Sequence, residues 1–110
     1  MIPQFSVITC VSKPDVYQAC LLDSIYEQRQ GRDVEIIPII NNDNRYSASL
    51  ALNIGIDAAK SDTLIFTHQD IRLLPDWFTH LETTLNQLGN EWGVLGSAGI
   101  SLAAGRKDIG

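Results

Sequence analysis

The feature that most constrains this chain is a hydrophobic period that keeps switching along its length. Short β-branched apolar runs, the mark of strands buried on both faces, alternate with stretches whose apolar residues recur every three or four positions. Phe5–Val11 is the first run, Val34–Ile40 the second and residues 63–67 the third, and each is followed by a helical pattern. This order predicts an α/β fold of three layers, α/β/α, in which right-handed crossovers join the strands of a mostly parallel sheet.

Local chemistry punctuates that pattern. Ser12, Lys13, Pro14 and Asp15 break the first strand, and Asp15 is placed to accept from the free N–H groups of a helix over residues 16–30. Val16, Cys20, Leu21, Ile25 and Gln28 share a face of that helix, and Gly31 stops it. Pro38 has no N–H to give, so the second strand is at an edge there or its ladder is interrupted. Residues 41–45 form a turn. A helix over residues 49–60 follows, where Gly55, Ala58 and Ala59 permit close approach to the sheet. Pro75 suits the first turn of a third helix, with Trp77, Leu81, Leu85 and Leu88 as its apolar stripe and Gly89 and Asn90 at its end. Residues 92–100 read as a fourth strand. The expected domain is therefore residues 1–100, with an irregular tail over residues 101–110.

Charge and cysteine usage narrow the function classes. The 110 residues carry a formal charge of -5, and their eight Lys and Arg residues are scattered, so no basic patch for nucleic acid is expected. A nucleotide ligand remains compatible, because backbone donors and a cation can hold phosphates. No apolar run reaches the roughly 18 residues of a membrane span and no secretory signal opens the chain, which predicts a cytoplasmic location without a membrane segment. Cys10 and Cys20 are too far apart for a Cys-x-x-Cys site and read as reduced thiols. Phosphate-loop, dinucleotide-binding, nucleophile-elbow and zinc-protease motifs are all missing from the sequence.

In an α/β sheet, ligands sit beyond the carboxyl ends of the strands. Three loops have that address: residues 9–15, 41–45 and 68–70. The third places His68, Gln69 and Asp70 in a row after a short apolar strand. A carboxylate at Asp70 can hold Mg²⁺ or Mn²⁺ while phosphate oxygens complete the shell; the competing reading is a helix cap or a solvated side chain. His68 is a metal or substrate contact or a packed side chain. Gln69 either orients a ligand hydroxyl or amide or faces outward. Asn41, Asn42 and Asp43 can contact a base or ribose, although their composition also suits a plain turn. Asn53 leans over the same edge or serves its own helix.

Taken in order, these pieces resemble the amino-terminal half of the family-2-like, GT-A class of nucleotide-sugar glycosyltransferases. The likeness runs from Phe5 to Ile100. It rests on Phe5-Ser-Val-Ile-Thr-Cys10, the helix around Cys20 to Gln28, Val34-Glu-Ile-Ile-Pro-Ile-Ile-Asn-Asn-Asp43, Ala51-Leu-Asn-Ile-Gly-Ile-Asp-Ala-Ala59, Asp62-Thr-Leu-Ile-Phe-Thr-His-Gln-Asp70, and Trp77.

The resemblance implies a nucleotide-diphospho-sugar transferase-like fold, incomplete in these residues, and a donor site in which Mn²⁺ or Mg²⁺ bridges the diphosphate to an acidic motif. By position, Thr9 and Cys10 edge the base pocket, Asp43 or its asparagine neighbours take the base or ribose, and Asp70 is the last aspartate of the metal motif. His68 stands where the family more often has aspartate. The family's acceptor-binding half and its Asp or Glu general base lie further on, and residues 101–110 offer only Asp108, so the catalytic base is unassigned. The chain is thus expected to supply the donor half of a transferase acting on an unknown acceptor and to be inactive alone. Alternatives are an inactive domain of the same fold, a nucleotidyltransferase-like enzyme, and a small α/β signalling module. An exposed sheet edge would favour self-association.

Overall fold

The computed structural model describes residues 2–89. Three strands, β1 (Phe5–Val11), β2 (Val34–Ile40) and β3 (Leu64–Phe66), form a parallel sheet in the order β2-β1-β3. Both connections that this order demands are helical. Between β1 and β2 run α1 (Pro14–Tyr17), a π-helical segment (Gln18–Leu22) and α2 (Asp23–Gln28); between β2 and β3 runs α3 (Ala48–Ala58); α4 (Trp77–Leu88) follows β3.

Alternation along β1 separates two faces. Phe5, Val7 and Val11 point to a core shared with Tyr17, Leu21, Ile25, Leu73, Phe78 and Leu81, so α1, α2 and α4 cover one face. Ile8 points the other way, against α3. A Cβ added at Gly55 would lie 2.3 Å from Ile8 Cγ2, so only glycine lets α3 come this close. Helices on both faces of a parallel sheet give the expected α/β arrangement.

Local chemistry explains the element ends. Asn41 donates its N–H to Val11 O at 2.7 Å, which by the period of two turns the missing N–H of Pro38 towards the outer edge of β2. The edge reading of Pro38 holds. The first helical stretch starts at Pro14, two residues earlier than expected, and it has no side-chain cap; Asp15 is an exposed acid in its first turn. Gln30 and Gly31, at φ 51° and 83°, turn the chain out of α2. Ser47 caps α3 by accepting from Leu50 N at 3.1 Å. Strand β3 is shorter than expected, yet Thr63 O and Thr67 N on either side of it still bond to β1.

The start of α4 corrects the sequence reading. Pro75 lies outside the helix, because Asp76 occupies the cap position in a left-handed conformation at φ 63°. The buried stripe also rotates. Phe78 is fully buried and Leu81 nearly so, Trp77 and Leu85 pack at the margin, and Leu88 is exposed. The four-residue spacing was visible in Trp77, Leu81 and Leu85, but Phe78 wins the centre by stacking beside Phe5, with ring centroids 5.5 Å apart. The expected fourth strand at residues 92–100 and the tail lie outside the described residues.

Candidate functional site

The chain leaves β1 and β3 towards the face that carries α1, α2 and α4, and leaves β2 towards the face that carries α3. In parallel sheets the ligand address lies where neighbouring loops part in opposite directions, here over the carboxyl ends of β1 and β2. Ser12 and Lys13 follow β1 on one side of that address, and residues 41–46 follow β2 on the other. The loop after β3 runs beside the β1 loop.

Asn41 builds the β2 side. It is buried, its Nδ2 donates to Tyr46 O at 3.0 Å, its Oδ1 accepts from Tyr46 N at 3.0 Å, and Nδ2 also reaches Cys10 Sγ at 3.5 Å. An amide that grips both backbone groups of Tyr46 fixes the turn and has little capacity left for a ligand. Asn44 takes the left-handed conformation, at φ 56°, that closes the turn. Asn42 is exposed. Asp43 is also exposed and pairs with Arg45 at 3.1 Å; that hydrogen bond holds its carboxyl below the ordinary carboxylate range and raises the Arg45 guanidinium. So open a pair contributes little to stability. It presents an anion and a cation side by side at the carboxyl rim of the sheet.

The β1 side is joined to the β3 loop by one side chain. Gln69 Oε1 accepts from Ser12 N at 3.1 Å and from Lys13 N at 2.9 Å, and Gln69 Nε2 donates to Ser12 Oγ at 2.8 Å. Two backbone donors converging on one amide atom require that atom to be the oxygen, which fixes the amide orientation. His68 and Asp70, on either side, are exposed at the rim. Leu73 N, donating to the buried Ser24 Oγ at 2.9 Å, and Arg72, donating to Ala19 O at 2.7 Å, secure the following residues to the helical layer.

The residues expected at the site therefore separate into groups. His68, Asp70, Asn42 and Asp43 are exposed at the carboxyl rim. Gln69 and Asn41 reach the same region but are engaged in holding loops. Cys10 is half-buried and accepts from Asn41. Thr9 is fully buried on the face covered by α1, α2 and α4, its Oγ1 without a hydrogen-bond partner among the described residues, so a ligand at the rim would not meet its hydroxyl. Asn53 is exposed in the middle of α3, about 9 Å of helix rise from the Ser47 cap at the rim. Ser12, Lys13 and Arg45 were not singled out from sequence. Their signal was position: Ser12 and Lys13 lie between the end of β1 and the helix start at Pro14, and Arg45 lies in the turn between β2 and α3.

Among the described residues, no group of three or more His, Cys, Asp or Glu side chains is arranged to hold a metal ion. A cation at Asp70 would need ligand phosphates and water for most of its shell, which is the usual way in which Mg²⁺ meets one or two carboxylates. A cleft of about 330 Å³, lined by Gln4, Phe5, Thr63, Glu82, Leu85 and Asn86, lies at the opposite pole, where Gln4 and Glu82 are bonded to each other and Glu82 also to Arg32. The chain matches no protein-family model, no curated protein and no solved structure.

Proposed function

We propose that this chain forms the donor-binding part of a nucleotide-sugar glycosyltransferase. In this reading the loops after β1 and β2 would hold the nucleoside, and Asp70 would hold Mn²⁺ or Mg²⁺, which would supply positive charge to the diphosphate. The observation that carries the reading is the placement of the motif-bearing loops. The stretches that resemble the family's base-binding and metal segments end at one pole of one sheet, next to each other, with Asp70 and His68 exposed between solvent and the β1 loop.

When bound, the cation would stabilise negative charge on the departing diphosphate. The chain's own residues do the rest of the donor work. Asn42, Asp43 and Arg45 offer acceptors and donors to a base or ribose, and Asp70 supplies a carboxylate. Deprotonation of the acceptor hydroxyl needs a general base, for which the rim residues offer no assigned candidate. The acceptor-binding half is accordingly assigned to residues other than 2–89.

Titration calorimetry of the whole chain with nucleoside diphosphates and their sugar conjugates, with and without Mn²⁺, tests the proposal. One nucleotide binding more tightly in the presence of the cation is expected. Heats indistinguishable from dilution across the panel would reject a donor site and leave a domain of this shape without that activity.

A further inference from the structure

The loop that carries Asp70 is secured at both ends but held in the middle by a single side chain. Thr67 N bonds to Ile8 O at its start, and Arg72 and Leu73 bond to the helical layer at its end. Between them Gln69 makes three hydrogen bonds to Ser12 and Lys13, across 56 or 57 residues of sequence, while its exposed neighbours His68 and Asp70 make no side-chain hydrogen bond among the described residues.

We propose that Gln69 is the positioning residue of the donor site: it is no ligand contact itself, but it sets where Asp70 stands relative to the β1 loop. This rests on the reading of the carboxyl rim as a donor site. The physical case is one of connectivity. Ser12 and Lys13 open the helical stretch at Pro14, and the Gln69 oxygen consumes both of their N–H groups. Any displacement of residues 68–70 must break those bonds or drag the β1 loop along. The β1 loop and residues 68–70 are therefore tied together through Gln69. A partner that orients a metal-binding side chain without touching the metal typically governs about 10–100-fold in affinity when removed.

Chemical replacement separates positioning from mere bulk. Gln69→Glu keeps the oxygen that accepts from Ser12 and Lys13, and Ser12 Oγ can donate to the new carboxylate in place of accepting. Gln69→Ala removes the clamp, and Gln69→Asn is one methylene too short to span it. Calorimetry of the full chain with a nucleoside diphosphate and Mn²⁺ is expected to show about 10–100-fold weaker binding for Ala and Asn. Glu is expected to bind close to the unaltered chain, and the affinity for the cation-free nucleoside should be alike in all four proteins. Equal Mn²⁺-dependent affinity for Ala and the unaltered chain would overturn the proposal, as would failure of Glu to restore what Ala loses. Amide exchange without ligand gives an independent reading: the Ser12 and Lys13 amides should exchange about 10-fold or more faster in Ala and be slowed again in Glu. Unchanged exchange in Ala would overturn the clamp as well. If the unaltered chain bound no nucleotide, the donor-site reading would fall while exchange still judged the clamp.

Discussion

The two ends of the sheet treat their polar side chains in opposite ways. At the amino pole two polar networks are spent on the fold. Arg32 forms a two-pronged pair with Glu82 at 2.8 Å on both contacts and also reaches Thr79, Gln4 donates to the same carboxylate, and Ser6, Ser61 and the Lys60 backbone converge around Glu35. At the carboxyl pole Asn41 and Gln69 do the holding, and His68, Asp70, Asn42 and the Asp43–Arg45 pair are left on the surface. The contrast separates residues that keep loops in place from residues available to a ligand. It also explains why the cleft at the amino pole is a poor candidate site, since its one charged lining residue, Glu82, is held by Arg32 and Gln4.

Several substitutions would break or sharpen this contrast. The largest effect is expected at Phe78, whose fully buried ring packs on Phe5 and ties α4 to the sheet. Phe78→Ala should cost about 3–5 kcal/mol in denaturant unfolding, and a loss below about 1 kcal/mol would mean that α4 is not fixed where the amino-pole network needs it. Next comes Asn41, which lies at the carboxyl pole but behaves like an amino-pole residue. Asn41→Ala leaves the Tyr46 N–H and C=O without their partner and should cost about 1–3 kcal/mol. A neutral result would place Asn41 among the ligand-facing residues.

A smaller effect, visible through pH, is expected at Glu82. The Arg32 hydrogen bond holds its carboxyl below the ordinary value of 4.5, with help from Gln4 against the opposing effect of burial. A carboxyl depressed in the folded state stabilises fully above its unfolded pKa and loses that contribution as pH falls through the folded value. The unaltered chain should therefore lose stability on acidification below about pH 4.5 more steeply than Glu82→Gln, which itself is expected to cost about 1 kcal/mol at neutral pH because the pair is part-exposed. Parallel acid profiles would show that this pair does not hold the amino pole. Glu35, lowered chiefly by the Ser6 hydroxyl, should still titrate in both proteins.

The positions of β1 and β2 were legible from their β-branched runs, and the edge role of Pro38 and the close approach at Gly55 because each depends on backbone geometry that one residue type enforces. Helix starts were less legible. Asp15 looks like a cap and Pro75 like a first-turn residue, but backbone turns at Lys13 and Asp76 decide where the helices begin. The rim could be named from its strand ends, and His68, Asp70, Asn42 and Asp43 are where that reasoning puts them. What the sequence could not show is which polar residues are already engaged. Gln69 meets Ser12 and Lys13 across more than fifty residues, and no local pattern encodes such a pair. For the same reason Thr9 reads as a rim residue although alternation turns its side chain into the face covered by α1, α2 and α4.

The most direct test compares the two poles in one experiment: thermal unfolding of the unaltered chain, Asp70→Ala and Glu82→Gln, each with a nucleoside diphosphate, with and without Mn²⁺. Selective binding to the folded state raises the unfolding temperature. Asp70→Ala, an exposed change expected to shift stability by less than about 0.5 kcal/mol, should abolish the cation-dependent rise. Glu82→Gln should lower the baseline and keep the rise. A rise that survives Asp70→Ala but disappears in Glu82→Gln would contradict the assignment of ligand binding to the carboxyl pole.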